Sequence, residues 1–544
     1  MSTDVQPQGE KGSFAYFNQV LSYPLHITLL ALLLGVAVEI LFDGQPLGIN
    51  FPLWAWLGAG ALLLAAYLEG VKPSRTELTL IAPILFLSLM SATRREPLTV
   101  FLDVIGVLFF FGLWVRTFRA GRLFDFGWID LGVGLVWTPV EAVLRPWGTL
   151  NAAWHSVVGE GGGRGRGWAI ARGLLLAIPV VAVFLALLGA ADMIFGDAVQ
   201  RLLEWLDIER ILSWVGDGMV IGLSGRFFLG AMVAALIEPG ERKLIGEEKP
   251  LLKPFIGLLE SGIVLGAVDL LFLIFVLFQV RYLFGGEANI TAAGYTYSEY
   301  ARRGFGELVT VAVLSLGMIM AFGYYGKRET PRERRIFLGL STALVALLGA
   351  ILASALMRLL LYESAYGFTR SRTYTHVFIF WMAAGFLAFL FLLYRGQMRR
   401  FAPAVMLGVL GFGATLNLMN LDAFIVDRNV ERYWDGHGLD VSYLLSLSED
   451  AIPPLVAFAP EAQSQARADL LPGLACELQV LERHAAGLDW PAAHLSLNRA
   501  LDSLRGLDLL RDYTVEEGES YELSVVAPDG SVTYCRPYSY SYVD

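Results

Sequence analysis

The sequence predicts an all-α polytopic membrane protein of about eleven transmembrane helices, followed by a small extracytoplasmic α+β domain. Three observations carry this. The 544 residues are 56% hydrophobic and only 17% charged, with mean hydropathy +0.56, whereas a soluble globular chain carries about 25% charged residues. Apolar runs of about 20 residues recur, the length a helix needs to cross a bilayer. From residue 426 onward the pattern changes to amphipathic helices and alternating strands.

In chain order, residues 1–24 form an N-terminal tail and 25–116 hold four spans, at 25–43, 51–69, 77–92 and 98–116. The first run, LHITLLALLLGVAVEILF, is long enough to remain as an anchor. Residues 117–168 form an interfacial segment and a linker. Within it, 127–147 is apolar but interrupted by Asp130, Pro139, Glu141 and Arg145, so it predicts an interfacial or re-entrant helix. GEGGGRGRG at 159–167 has the glycine spacing of neither nucleotide fingerprint and reads as a linker. Residues 169–425 form a seven-helix core, with runs at 169–191, 218–237, 256–282, 304–325, 336–361, 374–394 and 402–425.

Orientation follows from Lys/Arg asymmetry. The loops 238–254, 326–335 and 395–400 hold twelve basic residues, and the alternate loops 192–216, 283–303 and 363–373 hold six, which places the first set and the N-terminus in the cytoplasm. Arg94 and Arg95 fall on the other side, against the trend. The odd span count puts residues 426–544 outside. That domain is expected to be helical at 441–448, 461–486 and 491–511, with a hairpin turning at Asp529-Gly530 within 513–543. The only thiols, Cys476 and Cys535, share this oxidising side and are expected to form a disulfide.

Three polar stretches converge on the outer end. GYTYSEYARRGFGEL (294–308) carries Glu299, Arg302, Arg303 and Glu307, with Glu299, Arg303 and Glu307 spaced four apart as one helical stripe. RLLLYESAYGFTRSRTYTH (358–376) carries Arg358, Glu363, Arg370, Arg372 and His376, and NLMNLDAFIVDRNVERYW (417–434) begins with Asn417. Taken singly, such residues are ordinary span ends with snorkelling arginines and a tyrosine belt. Their density, and the cost of charge in hydrocarbon, point to a ligand site. The arginine surplus suits an anionic lipid headgroup or a small carboxylate held bidentately. A deeper set, Arg226, Glu260 and Asp269, reads first as a structural Arg226–Asp269 pair and second as a proton or ion relay.

The net charge of −10 argues against a nucleic-acid partner. HExxH, GxSxG and Walker motifs are absent from the sequence. His437, beside Asp435 and Asp440, reads as a polar turn. No metal site or cofactor is assigned. The NIT at 289–291 is a short glycosylation match of little weight.

EYARRGF, YGFTRSR and LDVSYLLSLSEDAIPPL resemble a family of bacterial integral membrane proteins, domain of unknown function 4173, close to 4153, over roughly 170–460. The resemblance implies the bacterial inner membrane and envelope, and no assigned activity. Three function classes follow: ligand binding or transport, which the polar residues favour; an envelope enzyme acting on a lipid-linked or surface substrate; and a sensory or scaffolding protein whose outer domain binds an envelope partner.

Overall fold

The computed structural model describes residues 20–119, 123–158, 163–206, 208–237, 254–283, 305–328, 330–517 and 523–535. A first bundle gathers α1 (Pro24–Phe42), α2 (Asn50–Leu68), α3 (Ile81–Ser91), α4 (Pro97–Thr117), α5 (Trp128–Leu144) and α6 (Pro146–Val158). These pack around an aliphatic and aromatic core shared with the distant α9 (Ile208–Leu236). Between them lie α7 (Gly163–Ala191) and α8 (Met193–Leu206), packed on each other. A second bundle holds α10 (Leu258–Leu283), α11 (Phe305–Tyr325), α12 (Pro331–Tyr366), α13 (Arg370–Arg395) and α14 (Phe401–Met419). The two bundles touch where α14 meets α4.

Nine helices among the described residues are long and apolar enough to cross a membrane: α1, α2, α4, α9 and α10 to α14. The two other expected spans differ. In place of one helix at 77–92 there is a turn at Arg75–Leu78 followed by α3, which has 11 residues and by itself rises only about 16 Å. The pieces nevertheless flank all of α4. Thr117 donates to the Glu77 carboxylate at one end, and five residues link α3 to α4 at the other. The run at 169–191 lies within α7, where Pro179 interrupts the backbone ladder.

The segment 127–147 forms α5 and the start of α6. Asp130 near its start meets Arg399, Gly134 lies against Arg116, and Ala142 lies against Gly230. Gly230 is six residues from the end of α9.

Asn420, at φ 52°, breaks the helix after α14. The last expected span therefore ends at Met419 and not at 425, and α15 (Leu421–Trp434) belongs to the C-terminal domain. Leu421, Ile425 and Val426 are buried in that domain's own core. The domain continues through one turn at Val441–Leu444, α16 (Ile452–Phe458), α17 (Ser464–Ala486) and α18 (Leu495–Arg505). It closes with an antiparallel sheet of β1 (Thr514–Glu517), β2 (Leu523–Val526) and β3 (Val532–Tyr534) in the order β1-β2-β3. The expected turn at Asp529-Gly530 joins β2 to β3; Gly530, at φ 85°, supplies the left-handed residue. Cys476 on α17 is bonded to Cys535 after β3, with Cα atoms 5.2 Å apart.

Candidate functional site

The domain sits on one end of both bundles, against the α1–α2 and α3–α4 loops. Ile49 N–H donates to the Ala493 carbonyl at 2.9 Å, and Leu495 N–H donates to Ala92 at 3.0 Å. Around this seat the charged residues form a closed junction. Arg94 Nη1 is 3.7 Å from Asp450, and Arg95 Nε is 3.6 Å from Glu449. Asp450 also accepts the Arg95 N–H at 2.8 Å. Glu96 caps α4 by accepting from Leu98 and Thr99 N–H, and it receives the Tyr374 hydroxyl. Glu449 and Asp450 are nearly excluded from solvent. Pairing in such a place is obligatory, because an unpartnered buried charge would unfold the seat.

Arg370 completes the junction. Its Nε and Nη2 meet the two oxygens of Asp422 at 2.8 and 2.5 Å, a bidentate pair. Asp422 also accepts the backbone N–H and hydroxyl of Ser448 at 2.9 and 2.6 Å. Asn417 donates to Asp103 at 2.8 Å and does not join the arginines as the sequence led us to expect; its backbone carbonyl receives Arg94 at 2.9 Å. Asp422 lies in the third polar stretch read from the sequence, whereas Arg94, Arg95, Glu96, Asp103, Glu449 and Asp450 are not part of the site that reading assigns. Two signals were available: Asp103 is an acid inside an apolar run, and the Arg94-Arg95 pair broke the charge trend.

A second cluster lies on the other side of the α12–α13 turn, and it is open. Gly367, at φ 78°, makes this turn with no room for a side chain, since a Cβ would meet Asn429 Oδ1 at 2.3 Å. Arg372 and His376 are one turn apart and share a face of α13. Both are backed by α12. Glu363, buried, lies 3.3 Å from His376 Nδ1, and Arg372 stacks over the Tyr362 ring at 4.0 Å. Arg372 Nη1 donates to the Tyr366 and Gly367 carbonyls. Arg432 of α15 donates to Ser364 at 2.8 Å, and burial together with the Arg372 charge pushes its guanidinium pKa down. Arg358 is half-buried one turn below Tyr362, and Glu307 is exposed at the start of α11. Glu299, Arg302 and Arg303 lie outside the described residues.

The expected Arg226–Asp269 pair is not formed. Arg226, on α9, donates to the Val143 carbonyl at 2.7 Å and stacks on Trp147 at 4.2 Å. Asp269, on α10, belongs to the other bundle, packed against α12. The helices are consecutive in sequence, but α9 turns back to the first bundle. Glu260 caps α10 at the Gly257 N–H.

Fold and sites together define a multi-pass membrane protein carrying a helical domain clamped to one end of its bundles. The sequence model described as Domain of unknown function (DUF4153) matches residues 81–458, and the chain belongs to that family. The match begins well before the expected residue 170, and 4173 stays a likeness of motifs alone. It takes in both sides of the junction from Arg94 to Asp450, but neither the disulfide nor α18. No curated protein and no solved structure matches the chain.

Proposed function

We propose that this is a bacterial inner-membrane protein, with its N-terminus in the cytoplasm and its C-terminal domain outside, that binds an anionic ligand at the outer face. The observation that carries the reading is that Arg372 and Arg432 both close on the Gly367 turn, neither ion-paired to a carboxylate among the described residues, with His376 one turn along from Arg372. Two like charges so placed favour an anion, and the Nε and Nη2 edge of Arg372 presents the planar fork that suits a phosphate or carboxylate. Tyr362, Tyr366 and Phe380 give the rim the amphipathic character of a bilayer interface, so an anionic lipid headgroup fits best. A relay that runs through both Arg226 and Asp269 loses support, since the two stand in separate bundles.

The test is lipid retention by the purified protein, measured by native mass spectrometry after incubation with phosphatidylglycerol or phosphatidylcholine. Preferential retention of phosphatidylglycerol, lost in His376→Gln and in Arg372→Ala, is the expected result. Equal retention of both lipids by the wild type, or an unchanged preference in both variants, would remove the reading. Displacement by inorganic phosphate would identify a free anion as the ligand in place of a headgroup.

A second reading, a scaffold that presents its outer domain to an envelope partner, is favoured by the closed junction. Retention of neither lipid, with a protein captured only when α15 to β3 are present, would favour it.

A further inference from the structure

Asp269 lies near the middle of α10, 11 residues from Leu258 and 14 from Leu283, so the apolar helix extends about 16–21 Å to either side of it. Both carboxylate oxygens are shielded from solvent, and neither has a hydrogen-bond partner among the described residues. The face that bears them is the packed one. Leu265, one turn earlier, is fully buried, and Val268 and Phe272 join the same core. The opposite face, with Ile263, Leu270, Leu271, Ile274 and Leu277, is bare and apolar.

The surroundings can be placed by register. Gly262 meets Leu340 of α12, and Ile256 pairs with Gly326 beyond α11. With the same rise in all three helices, Asp269 lies level with about residue 347 of α12 and about residue 313 of α11. No Lys, Arg or His occurs within two turns of these levels on either helix. The charged and titratable groups of α12 lie away from this level: Arg332, Glu333, Arg334 and Arg335 toward one end, Arg358, Tyr362, Glu363 and Tyr366 toward the other. Those of α11 are Glu307, Tyr324 and Tyr325, also at its ends. The polar company at depth is hydroxyl and amide: Ser341 Oγ, Ser354 Oγ and Gln279 Oε1, each buried and without a partner among the described residues, and Ser315, whose hydroxyl is turned to the Val311 carbonyl.

An anionic carboxylate in hydrocarbon without a donor or counter-charge is too costly to persist. The carboxylate packed between α10 and α12 therefore requires a small cation, and the α11 and α12 residues at its level bring no second carboxylate to share one. We propose that Asp269 is a proton-binding site inside the membrane, loaded and unloaded along the α10–α12 seam and distinct from the anion site at the outer face. The proton adds to one carboxylate oxygen and leaves by the same oxygen, so no co-reactant is consumed.

The test uses dicyclohexylcarbodiimide, which enters hydrocarbon and reacts with protonated carboxyls. The full-length protein in detergent micelles is treated at pH 6, 7 and 8, and peptides are mapped by mass spectrometry. The adduct is expected on Asp269, declining as pH rises and absent in Asp269→Asn, while Asp269→Glu restores it. Folding of each variant is checked by gel filtration, and the result for Asp269→Glu decides the case if Asp269→Asn does not fold. An unmodified Asp269 at all three pH values, or labelling that does not vary with pH, would overturn the proposal. Protection by sodium chloride but not by choline chloride would also overturn it, since the ligand would then be the sodium ion. Loss of lipid retention in His376→Gln with the Asp269 adduct intact would keep the two sites separate.

Discussion

At the residue scale, the junction is built from groups whose titration opposes one another. His494 is buried beneath the α3–α4 loop. In the tautomer that satisfies both partners, Nε2–H donates to the Ser91 carbonyl at 3.1 Å and Nδ1 accepts the Ser496 N–H at 3.3 Å. Burial, with the Arg95 charge nearby, pushes the imidazole pKa down from 6.5 to about 3. The unfolded chain thus takes up this proton first. The histidine's contribution to stability is complete above pH 6.5 and is lost as pH falls from 6.5 toward 3. Asp450 runs the other way. Burial raises it from 3.8 to about 6, against the pull of the Arg95 N–H and Arg94. Its contribution is present below pH 3.8 and is lost as pH rises through 6. The histidine shift is the larger, so net stability should fall on acidification, by about 1 kcal/mol. The thermal midpoint of the detergent-purified protein should drop between pH 7 and pH 4. In His494→Gln the drop should shrink or reverse, because Asp450 then opposes only the smaller contribution of His484, whose pKa burial and the Arg95 charge also lower. An identical slope in both proteins would show that the histidine does not govern the junction.

At the scale of elements, close backbone approach fixes how α5 lies. A Cβ on Gly230 would stand 1.6 Å from the Ala142 carbonyl oxygen, so the contact between α5 and α9 exists only because that position has no side chain. Gly230→Val should push α5 off α9 and cost about 1–3 kcal/mol, as overpacking does in other cores. Its mark would be faster proteolysis between residues 119 and 147, with the C-terminal domain unaffected. An unchanged cleavage pattern would show that α5 is held by its ends alone. The same helix shows what pattern reading can reach. Asp130, Glu141 and Arg145 flagged it as something other than a simple span, and the structure gives each a reason to be there. Asp130 accepts from Arg399 at 3.2 Å, and Glu141 lies 3.6 Å from Arg145 within the helix.

At the scale of the whole molecule, the junction puts the Arg94-Arg95 loop and the C-terminal domain at the same end of the bundles. The Arg94-Arg95 pair, which opposed the charge trend, meets Asp450 and Glu449 of the C-terminal domain, so it does not leave a free positive loop on that side. Fusions should therefore report opposite compartments at residues 328 and 544, with fluorescence at the first and phosphatase activity at the second. Fluorescence at both would overturn the proposed topology. Cys476 and Cys535 should likewise resist alkylation until a reductant is added.

The sequence by itself determined what one-dimensional pattern can carry. Apolar run length set nearly all the membrane helices. Asp529-Gly530 marked the hairpin, and the density of arginine and tyrosine around 358–376 marked the region where a polar site lies. These are local properties, fixed by helix rise, turn geometry and the cost of burying charge. Only the tertiary structure decided which charges meet. Arg370 and Arg372 are two residues apart, yet one turns inward to Asp422 and the other lies against Tyr362 and Arg432, because successive positions on a helix point in different directions. Arg94 and Asp450 are 356 residues apart, and nothing in their local sequence names the partner. Arg226 and Asp269 looked like partners because their spans are consecutive. The chain instead returns α9 to the first bundle and starts the second with α10, leaving the carboxylate alone, since helices pack by the fit of their faces and not by their order.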